Sequence, residues 1–427
     1  MSVVVHTLGC RVNQYESQVL TERLAGLSGP RDVHIVNTCT VTGLADRKSR
    51  QLVARVRREH PQALVVAVGC GADGAGRSLR NAGADLIVGN RDKRRAAEVI
   101  RLFLNGSLWE GEWEALDKEY LSGAEPRVRA VLKVQDGCTV GCSFCRTWQV
   151  RGPLRSKTPP TARAEADALA QAGHREIVLV GINLAQYGQD LPSQPRLLDL
   201  LVEVLKVPRV RIRLSSLNPN GVTDDLVALF AQERRLCPYL HLPLQSGDDA
   251  VLNSMGRPYT RGEYVDRAQA FLTSVPHATL GADAMVGFPG EDEAAFARTV
   301  EILDSLTPLN VHVFRYSPRP GTRATRLSPR VPPEDSARRA AELAELADGW
   351  VRSVRRRFVG ETVEVAVEAE GDGRAWGRSE NYLWVEVRGG EGTPRGTIVP
   401  VRLVEAASEH AVGVRTDSTE DDGNRVR

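Results

Sequence analysis

Three cysteines within eight residues are the feature of this sequence most able to do chemistry. Cys138, Cys142 and Cys145 follow an apolar run and share a loop with Gly137 and Gly141, which allow tight backbone paths. Thiolates at such close spacing are ligands for soft metals and for iron–sulfur clusters. A structural zinc site typically adds a second pair of cysteines or histidines at metal-binding spacing, and the sequence has neither near these three. The spacing therefore favours a four-iron cluster with three protein ligands and one open iron.

Cys10, Cys39 and Cys70 form a second set of three, spread through the first part of the chain. Each stands at the end of a short apolar run of the kind that forms a buried parallel strand. Ligands of open α/β sheets lie just beyond the carboxyl ends of the strands, so these cysteines can converge in space. Burial as a small apolar residue would explain any one of them, but the repeated placement favours a common site. The seventh cysteine, Cys237, has no partner at ligand spacing and is predicted to be a free thiol.

The elements that carry these cysteines predict a modular chain. Residues 1–108 alternate apolar strands with helical patterns and predict an open α/β domain of flavodoxin-like type. Residues 109–125 lose this periodicity and are predicted to be a linker. Residues 126–350 contain six further strands alternating with amphipathic helices, too few for a closed eight-stranded barrel, and predict an open, partial (β/α)6 barrel. Both sets of cysteines lie at the carboxyl ends of strands, where function is expected.

The last part of the chain has a different composition. A long helical pattern leads into residues 351–415, where apolar and polar residues alternate between glycine-rich turns. This pattern predicts a small antiparallel β-barrel, an architecture that often binds nucleic acid. Two runs, Arg47–Arg58 and Val351–Phe358, are strongly basic and are either solvated helix faces or phosphate-binding surfaces. Residues 416–427 are polar without an apolar pattern and are predicted to be a disordered tail.

The composition of the 427 residues is that of a globular protein, with 42% hydrophobic and 26% charged residues. Every apolar run is shorter than the roughly 18 to 20 residues of a membrane helix. The first residues lack the basic segment and long apolar core of a signal peptide. An odd number of cysteines, seven, fits a complete disulfide framework poorly. These features predict a cytoplasmic protein in a reducing compartment, without a membrane partner.

The spacing C-x3-C-x2-C at the end of the first strand of a partial barrel resembles the radical S-adenosylmethionine (SAM) superfamily. The resemblance implies a [4Fe–4S] cluster on Cys138, Cys142 and Cys145, whose open iron is chelated by the amino and carboxylate groups of SAM. Electron transfer to the sulfonium would then release a 5′-deoxyadenosyl radical, which abstracts hydrogen from an unactivated carbon. An open coordination site meets the need to place the sulfonium beside the source of electrons.

Further motifs are similar to those of the methylthiotransferases within that superfamily. They include TLGCRVNQYES, NTCTVT, ADRKSR, RIRLSSLNP, LHLPLQSGDD, VGFPGE and FRYSPRPGT. The matches extend from residue 3 to about residue 390, where NYLWVEV resembles the family's C-terminal TRAM domain. The earliest motifs are most similar to the branch that acts on threonylcarbamoyladenosine. That branch adds a methylthio group to C2 of the modified adenosine at tRNA position 37, beside the anticodon.

The resemblance also implies a second, auxiliary [4Fe–4S] cluster on Cys10, Cys39 and Cys70, whose open iron would hold the sulfur to be transferred. One SAM would donate the methyl group and a second would supply the radical, so two clusters and SAM are the expected cofactors. The expected partners are tRNA, through its anticodon stem-loop, an electron donor such as a flavodoxin or ferredoxin, and a sulfur donor.

Less direct signals indicate where SAM and RNA bind. Barrel geometry and the resemblance together place SAM near small and polar residues at strand ends, each of which could equally serve a turn or packing: Gly181, Asn183, Ser215, Ser216 and Gly287. The predicted phosphate contacts are arginines beside the small barrel: Arg352, Arg355, Arg356 and Arg357. No general acid or base is assigned, because a radical mechanism does not require one.

The chain departs from the family pattern immediately after the third cysteine. The family usually has Ile-Ile-Pro there, whereas this chain has Arg146, Thr147 and Trp148. The ligands are unchanged, so the departure concerns the loop, with Trp148 either a core residue or a platform for base stacking. Other functions stay open: methylthiolation of a ribosomal-protein aspartate, methylthiolation of isopentenyladenosine 37 in tRNA, and a non-catalytic iron–sulfur redox sensor that binds RNA. Zinc in one of the cysteine sites is a further alternative.

Overall fold

The computed structural model describes residues 2–27, 29–104, 115–123, 127–371 and 373–416. Within these ranges the chain forms an N-terminal sheet, two sheets of parallel strands in the centre and a closed C-terminal barrel. The expected boundary at residue 108, residues 109–114 and 124–125 of the expected linker 109–125, and all but the first residue of the expected tail 416–427 lie outside the described residues. Leu116 and Glu119, which fall within the expected linker, are buried.

Four parallel strands form the N-terminal sheet, which has helices on both faces. The strands are β1 Val3–Thr7, β2 Val33–Thr38, β3 Leu64–Gly69 and β4 Leu86–Val88. The helices are α1 Arg11–Arg23, α2 Gly43–Glu59, α3 Cys70–Asn81 and α4 Ala96–Leu104. Strands β2 and β3 are buried along their whole length, which explains their nearly continuous apolar sequence. Side chains of α1 and α4 pack on one face of the sheet, and those of α2 and α3 pack on the other.

The strand order of this sheet differs from that of a flavodoxin. The strands pair in sequential order, β1-β2-β3-β4, whereas a flavodoxin places its second strand outside its first. The open parallel α/β sheet itself is confirmed. Apolar strand patterns are the same in either arrangement, because they report burial and not neighbours, so the sequence could not distinguish the two orders.

Six parallel strands form the central domain and confirm the predicted open barrel. They are β5 Arg129–Lys133, β8 Glu176–Val180, β9 Arg211–Leu214, β10 Tyr239–Gln245, β11 Thr279–Val286 and β12 Asn310–Arg315. The sheets β5-β8-β9 and β10-β11-β12 are joined by parallel bridges, Ile212 with Leu236 and Ser216 with His241. Strands β5 and β12 form the two edges, so the barrel is open between them. A short antiparallel hairpin follows β5 and consists of β6 Gln135–Asp136 and β7 Arg155–Ser156.

Helices cover the outer side of these strands and leave an inner side free. The helices of this domain are α5 Thr147–Arg151, α6 Pro159–Gln171, α7 Leu197–Val204, α8 Asp224–Gln232, α9 Asp249–Met255, α10 Arg261–Ser274, α11 Glu293–Leu306 and α12 Pro333–Arg357. Leu240, Leu242 and Leu244 of β10 belong to the core shared with these helices. The alternate residues, Tyr239 and His241, therefore face the concave inner side, here called the lumen. No helix in the described ranges combines the length and apolar character needed to cross a bilayer.

The C-terminal residues form a closed five-stranded barrel. Its strands are β13 Thr362–Gly371, β14 Arg374–Ser379, β15 Trp384–Arg388, β16 Ile398–Ala406 and β17 Ala411–Arg415, in the closed order β13-β14-β15-β17-β16. Four pairings are antiparallel, which confirms the predicted antiparallel barrel, and one further pair, β15 and β17, runs parallel. Alternation along a strand is the same beside either kind of neighbour, so the sequence could not reveal the parallel pair. The core of this barrel includes Val354 and Phe358, so α12 joins it to the central domain.

A turn of the C-terminal barrel closes the end of the lumen where the strands begin. Arg211 donates hydrogen bonds to the carbonyl oxygens of Glu364 and Arg378 at 2.7 and 3.1 Å. Thr279 donates to the carbonyl oxygen of Asn381 at 2.5 Å. Arg211 and Thr279 are the first residues of β9 and β11, so this turn lies opposite the carboxyl ends that carry the cysteine loop.

The carboxyl group of Glu380 makes this turn sensitive to pH. Burial raises the pKa of Glu380 from 4.5 to about 7, although the Arg211 guanidinium acts in the opposite direction. A carboxyl whose pKa is raised on folding destabilises the folded state as the pH rises from its pKa in the unfolded chain through its pKa in the folded protein.

We therefore expect Glu380→Gln to raise the free energy of unfolding by up to about 3 kcal/mol at pH 8 and by little at pH 5. Urea unfolding at both pH values measures this difference. Glu391→Gln, at an exposed carboxyl of the same barrel, is the control, and an equal gain from E380Q at both pH values would contradict the prediction.

Candidate functional site

The loop that follows β6 presents Cys138, Cys142 and Cys145, the first trio, at the carboxyl end of the barrel. Gly137 has a φ of +75°, and a β-carbon there would lie 2.0 Å from the Pro153 carbonyl oxygen, so only glycine lets the loop fold back this tightly. Burial raises the pKa of the Cys138 and Cys145 thiols, and the neighbouring Cys142 sulfur contributes to both shifts. The three sulfurs are therefore close enough to interact with one another.

All three sulfurs of the first trio have a hydrogen-bond donor beside them, and Asn183 Nδ2 lies 3.7 Å from Cys138 Sγ. Arg257 Nη1 lies 3.3 Å from Cys142 Sγ, and the Thr147 backbone N–H donates to Cys145 Sγ at 3.3 Å. Donors of this kind stabilise thiolate ligands and tune the metal group that they hold. The sequence did not point to Arg257, because it lies 115 residues along the chain from Cys142.

Cys10, Cys39 and Cys70, the second trio, are also brought together at strand ends. Cys10 directly precedes α1, Cys39 follows β2 and Cys70 begins α3. Burial raises the pKa of the Cys39 thiol to about 11, and the neighbouring Cys10 and Cys70 sulfurs contribute to the rise. Gly9, with a φ of +98°, passes so close that a β-carbon there would lie 2.9 Å from Cys39 Cβ. Three cysteines that are remote in sequence thus occupy one place in the fold.

The spacing of the sulfurs bears on the kind of metal group that each trio could hold. All six cysteines belong to the described residues, and in neither trio do the three sulfurs all lie within 4.8 Å of one another. Three thiolates on one tetrahedral zinc ion, each about 2.3 Å from the metal, would be roughly 4 Å apart. A four-iron cluster takes each thiolate on a different iron and needs a wider arrangement. Neither trio therefore has the close spacing of one zinc ion, and the metal group that each would hold stays a prediction.

A buried arginine ties the second trio to the central domain. Arg151, at the end of α5, donates from Nε to Cys70 Sγ at 3.1 Å. Its Nη1 donates to Glu16 Oε1 at 2.5 Å, and its Nη2 donates to Asn13 Oδ1 at 2.6 Å. Glu16 also accepts from Lys133 Nζ at 2.7 Å, and all of these side chains are buried. Arg151 therefore supplies a fixed positive charge to any anionic group that the second trio holds.

The three residues that depart from the family pattern connect the two trios. Arg146 Nη2 donates at 2.8 Å to the carbonyl oxygen of Gly74, in the helix that Cys70 begins. Trp148 is half-buried, and its Nε1 is buried without a hydrogen-bond partner among the described residues. Trp148 is therefore neither fully buried, as a core residue would be, nor fully exposed, as a stacking platform would be. The segment that starts at Cys145 leads directly into α5 and so runs from one trio to the other.

Of the five residues predicted to contact SAM, three lie at the carboxyl ends of β8 and β9, and two of these, Asn183 and Ser215, have a polar group suited to a ligand. Asn183 Nδ2 is 3.7 Å from Cys138 Sγ. Gly181 passes so close to Gln135 that a β-carbon would lie 3.0 Å from its side chain. The Ser215 hydroxyl is buried and has no hydrogen-bond partner among the described residues, so it is available to a bound molecule.

The other two residues predicted to contact SAM make protein contacts. Ser216 forms a bridge with His241 between neighbouring strands. Gly287 donates its N–H to the Glu291 carboxylate at 3.2 Å, and a β-carbon there would lie 2.4 Å from Ser336 Oγ. Gly287 also lines a cavity of about 510 Å³. A contact between these residues and SAM stays a prediction.

The four arginines predicted to contact RNA are not equivalent. Arg355 and Arg357 each donate to a backbone carbonyl oxygen of the protein, at 2.6 and 3.0 Å. Arg352 and Arg356 are exposed on the last turns of α12. These two are the members of the set most accessible to a phosphate, and the RNA contact stays a prediction.

Two histidines and an aspartate form a cluster in the lumen that the sequence did not single out. His241 Nε2 and His312 Nδ1 lie 2.9 and 3.0 Å from Asp283 Oδ1. Burial would raise the pKa of Asp283, but the hydrogen bonds from the two histidines outweigh it and hold the pKa well below its ordinary value. One ligand atom from each residue lies within 4.8 Å of the others, so the cluster could hold a metal ion. The cluster also places groups that bind or transfer protons on the lumen wall.

Two family models match successive parts of the chain. The Radical SAM superfamily model matches residues 132–303, and the model of the uncharacterized protein family UPF0004 matches residues 2–89. Among solved structures, the radical S-adenosylmethionine methyltransferase TsrM from Kitasatospora setae is similar, with a TM-score of 0.56 and 14% identity over 76% of each chain. That likeness shows the fold alone.

Relatives with known names match nearly the whole chain. Threonylcarbamoyladenosine tRNA methylthiotransferases of Thermotoga maritima and Bacillus subtilis are 33% and 32% identical, over 98% and 99% of this chain and 98% of each relative. A tRNA-2-methylthio-N(6)-dimethylallyladenosine synthase of Pelotomaculum thermopropionicum is 30% identical over 98% of both chains. Because this identity extends along the full length and the radical SAM match surrounds the first trio, the chain belongs to the radical SAM methylthiotransferase family.

Proposed function

We propose that this enzyme acts on tRNA and adds a methylthio group to C2 of N6-threonylcarbamoyladenosine at position 37. The observation that carries the proposal is the short segment, residues 146–151, that joins the two trios. It begins after Cys145 of the first trio, and Arg151 at its end contacts Cys70 of the second. Radical generation and sulfur delivery must meet at one place in a methylthio transfer, and this arrangement supports such a meeting. Relatives along the whole chain are named for threonylcarbamoyladenosine in tRNA.

The first trio is proposed to hold the [4Fe–4S] cluster on which enzymes of this superfamily bind SAM. When bound, this cluster supplies the electron that cleaves SAM to a 5′-deoxyadenosyl radical. The N–H groups of Arg257 and Thr147 favour the thiolate form of the ligands and so assist cluster binding. The proposed SAM contacts are the strand-end residues Gly181, Asn183, Ser215, Ser216 and Gly287.

The second trio is proposed to hold an auxiliary [4Fe–4S] cluster that carries the sulfur to be transferred. The positive charge of Arg151 beside Cys70 favours an anionic group at this position. A sulfur donor and an electron donor such as a flavodoxin or ferredoxin are required partners under this proposal. The anticodon stem-loop of tRNA would contact the C-terminal barrel and the exposed arginines Arg352 and Arg356, in the cytoplasm.

A second candidate substrate is N6-dimethylallyladenosine in tRNA, because relatives named for it match at 30% and 32% identity. Both groups of relatives are named for tRNA, which favours tRNA over the aspartate of a ribosomal protein. Membership of a methylthiotransferase family favours catalysis over a redox-sensing role. The threonylcarbamoyl substrate is preferred because its relatives are slightly more similar.

The test is anaerobic reconstitution with iron, sulfide, dithionite and SAM, followed by reaction with two anticodon stem-loops. One stem-loop carries threonylcarbamoyladenosine at residue 37 and the other carries dimethylallyladenosine. Mass spectrometry of the digested nucleosides is expected to show the methylthio product from the first stem-loop, together with 5′-deoxyadenosine. If only the dimethylallyl stem-loop gave product, dimethylallyladenosine would be the substrate and the proposed substrate would be wrong. No 5′-deoxyadenosine from protein with intact clusters would reject the catalytic proposal.

A further inference from the structure

A cavity rich in arginine lies on the lumen between α1, β5 and the C-terminal barrel. Its volume is about 210 Å³, and Val131 of β5 and Val178 of β8 form part of its wall. Its charged lining residues are one glutamate and four arginines: Glu368, Arg11, Arg127, Arg129 and Arg395. The cavity therefore combines apolar strand residues with a set of guanidinium groups, a lining suited to an organic anion.

Arg11 is the arginine of this cavity best placed to bind an anion. Its Nη2 donates to the Tyr382 hydroxyl at 2.7 Å, and no carboxylate of the described residues lies within 4.0 Å of its guanidinium nitrogens. Arg129, by contrast, is paired with Glu368 at 3.1 Å. A half-buried guanidinium that holds only a neutral hydroxyl has donors left for a carboxylate, and bidentate bonds of this kind are strong.

The surroundings of Tyr382 show that this part of the lumen is positive. Four guanidinium groups of the described residues lie 4.4 to 6.0 Å from the ring centroid, those of Arg11, Arg129, Arg213 and Arg378. Burial alone would raise the pKa of the Tyr382 hydroxyl, yet these four groups together lower it below its ordinary value. A place that favours an ionised oxygen on tyrosine also favours the oxygens of a carboxylate.

The position of the cavity relates it to the proposed reaction. Arg11 directly follows Cys10 at the start of α1, so this lining residue is bonded directly to a cysteine of the second trio. In adenine, C2 and the carbon that carries N6 both flank N1, so the N6 substituent begins only a few ångströms from the reacting carbon. The threonylcarbamoyl substituent ends in a carboxylate, whereas the dimethylallyl substituent is wholly apolar. The charge of the cavity therefore distinguishes the two candidate substrates.

We propose that Arg11 binds the carboxylate of the N6 substituent in this cavity and thereby selects threonylcarbamoyladenosine over dimethylallyladenosine. The inference rests on the proposed function and adds the group that recognises the substrate. A dimethylallyl substituent would cover the guanidinium without offering an acceptor, which costs more than the loss of one bond. A phosphodiester of the RNA is a second source of an anion with the same chemistry, and the experiment separates the two sources.

Three anticodon stem-loops that differ only at residue 37 provide the test. They carry threonylcarbamoyladenosine, its neutral methyl ester, or dimethylallyladenosine. Their dissociation constants are measured by fluorescence anisotropy with the reconstituted protein, and iron content is determined for every variant. We expect the wild type to bind the acid at least about ten-fold more tightly than the ester, and Arg11→Gln to abolish this ratio. Arg11→Lys, which keeps the charge but cannot form the bidentate pair, should retain part of the ratio, and Arg196→Gln, at an exposed arginine, should leave it unchanged.

The outcomes distinguish the two anions and separate this proposal from the proposed function. Equal weakening of all three stem-loops by Arg11→Gln would assign Arg11 to a phosphodiester or to the fold, and would overturn the proposal. Equal binding of acid and ester by the wild type would also overturn it. Failure of the proposed function would give a different result. Wild-type protein would then form no methylthio product from the threonylcarbamoyl stem-loop, whatever the ratio of dissociation constants.

Discussion

Arg151→Met is expected to lower the free energy of unfolding of the metal-free protein by about 3 to 5 kcal/mol, the range for removing one partner of a buried ion pair. The Arg151 side chain is about 1% exposed and donates to Glu16, Asp136 and Asn13. Methionine fills similar space but cannot donate a hydrogen bond, so two buried carboxylates and one amide lose a donor. Burial would raise the pKa of Glu16, but Arg151 and two lysines outweigh it and lower the pKa. Arg151→Met would remove one of the positive charges that offset the burial of the Glu16 carboxylate.

The same substitution is expected to weaken the second trio as a metal site, because Cys70 Sγ loses the donor at 3.1 Å. Urea unfolding followed by circular dichroism measures stability, and iron analysis after reconstitution measures occupancy. Arg146→Met is the matched control in the same segment. Arg146 is partly exposed and donates to one backbone carbonyl oxygen, so its loss should cost only about 1 kcal/mol. Equal effects of the two substitutions, or unchanged stability of R151M, would contradict the prediction.

The sequence predicted the cysteine trios because their signals are local. The spacing of the first trio lies within eight residues, and the second trio follows strands whose apolar runs are visible one at a time. The donors to the sulfurs carry no such signal. Arg151 lies 81 residues from Cys70, and Arg257 lies 115 residues from Cys142. Such contacts form only when the chain folds and its domains pack, and the sequence does not indicate which residue an arginine will contact.

The contacts between side chains in the lumen could not be predicted from the sequence either. Alternation predicts that every second residue of β10, β11 and β12 faces inward, but strand register decides which of them meet. Asp283 is the direct register partner of His312, and His241 reaches Asp283 from the next strand. The contact between Arg11 and Tyr382 spans 371 residues and joins the first domain to the last. The fold class could therefore be predicted in advance, whereas the residues that line the arginine-rich cavity required the packed structure.

Replacing the second trio with alanine is expected to separate the two halves of the proposed reaction. The triple substitution of Cys10, Cys39 and Cys70 should leave about four irons per chain in place of about eight. The variant should still cleave SAM to 5′-deoxyadenosine, because the first trio is intact. Methylthio product should form at least about 10³-fold more slowly, a loss of about 4 kcal/mol in transition-state stabilisation, because the sulfur has no iron to hold it.

Alanine at the first trio should give a different pattern. The triple substitution of Cys138, Cys142 and Cys145 should also leave about four irons, but it should abolish both 5′-deoxyadenosine and methylthio product. Cys237→Ala, which removes a fully buried thiol outside both trios, is the control and should keep about eight irons and the wild-type rate. General misfolding would remove both clusters and both products together. Retention of eight irons by either triple variant would reject the assignment of that trio, because only a selective loss of four irons identifies three cysteines as the ligands of one cluster.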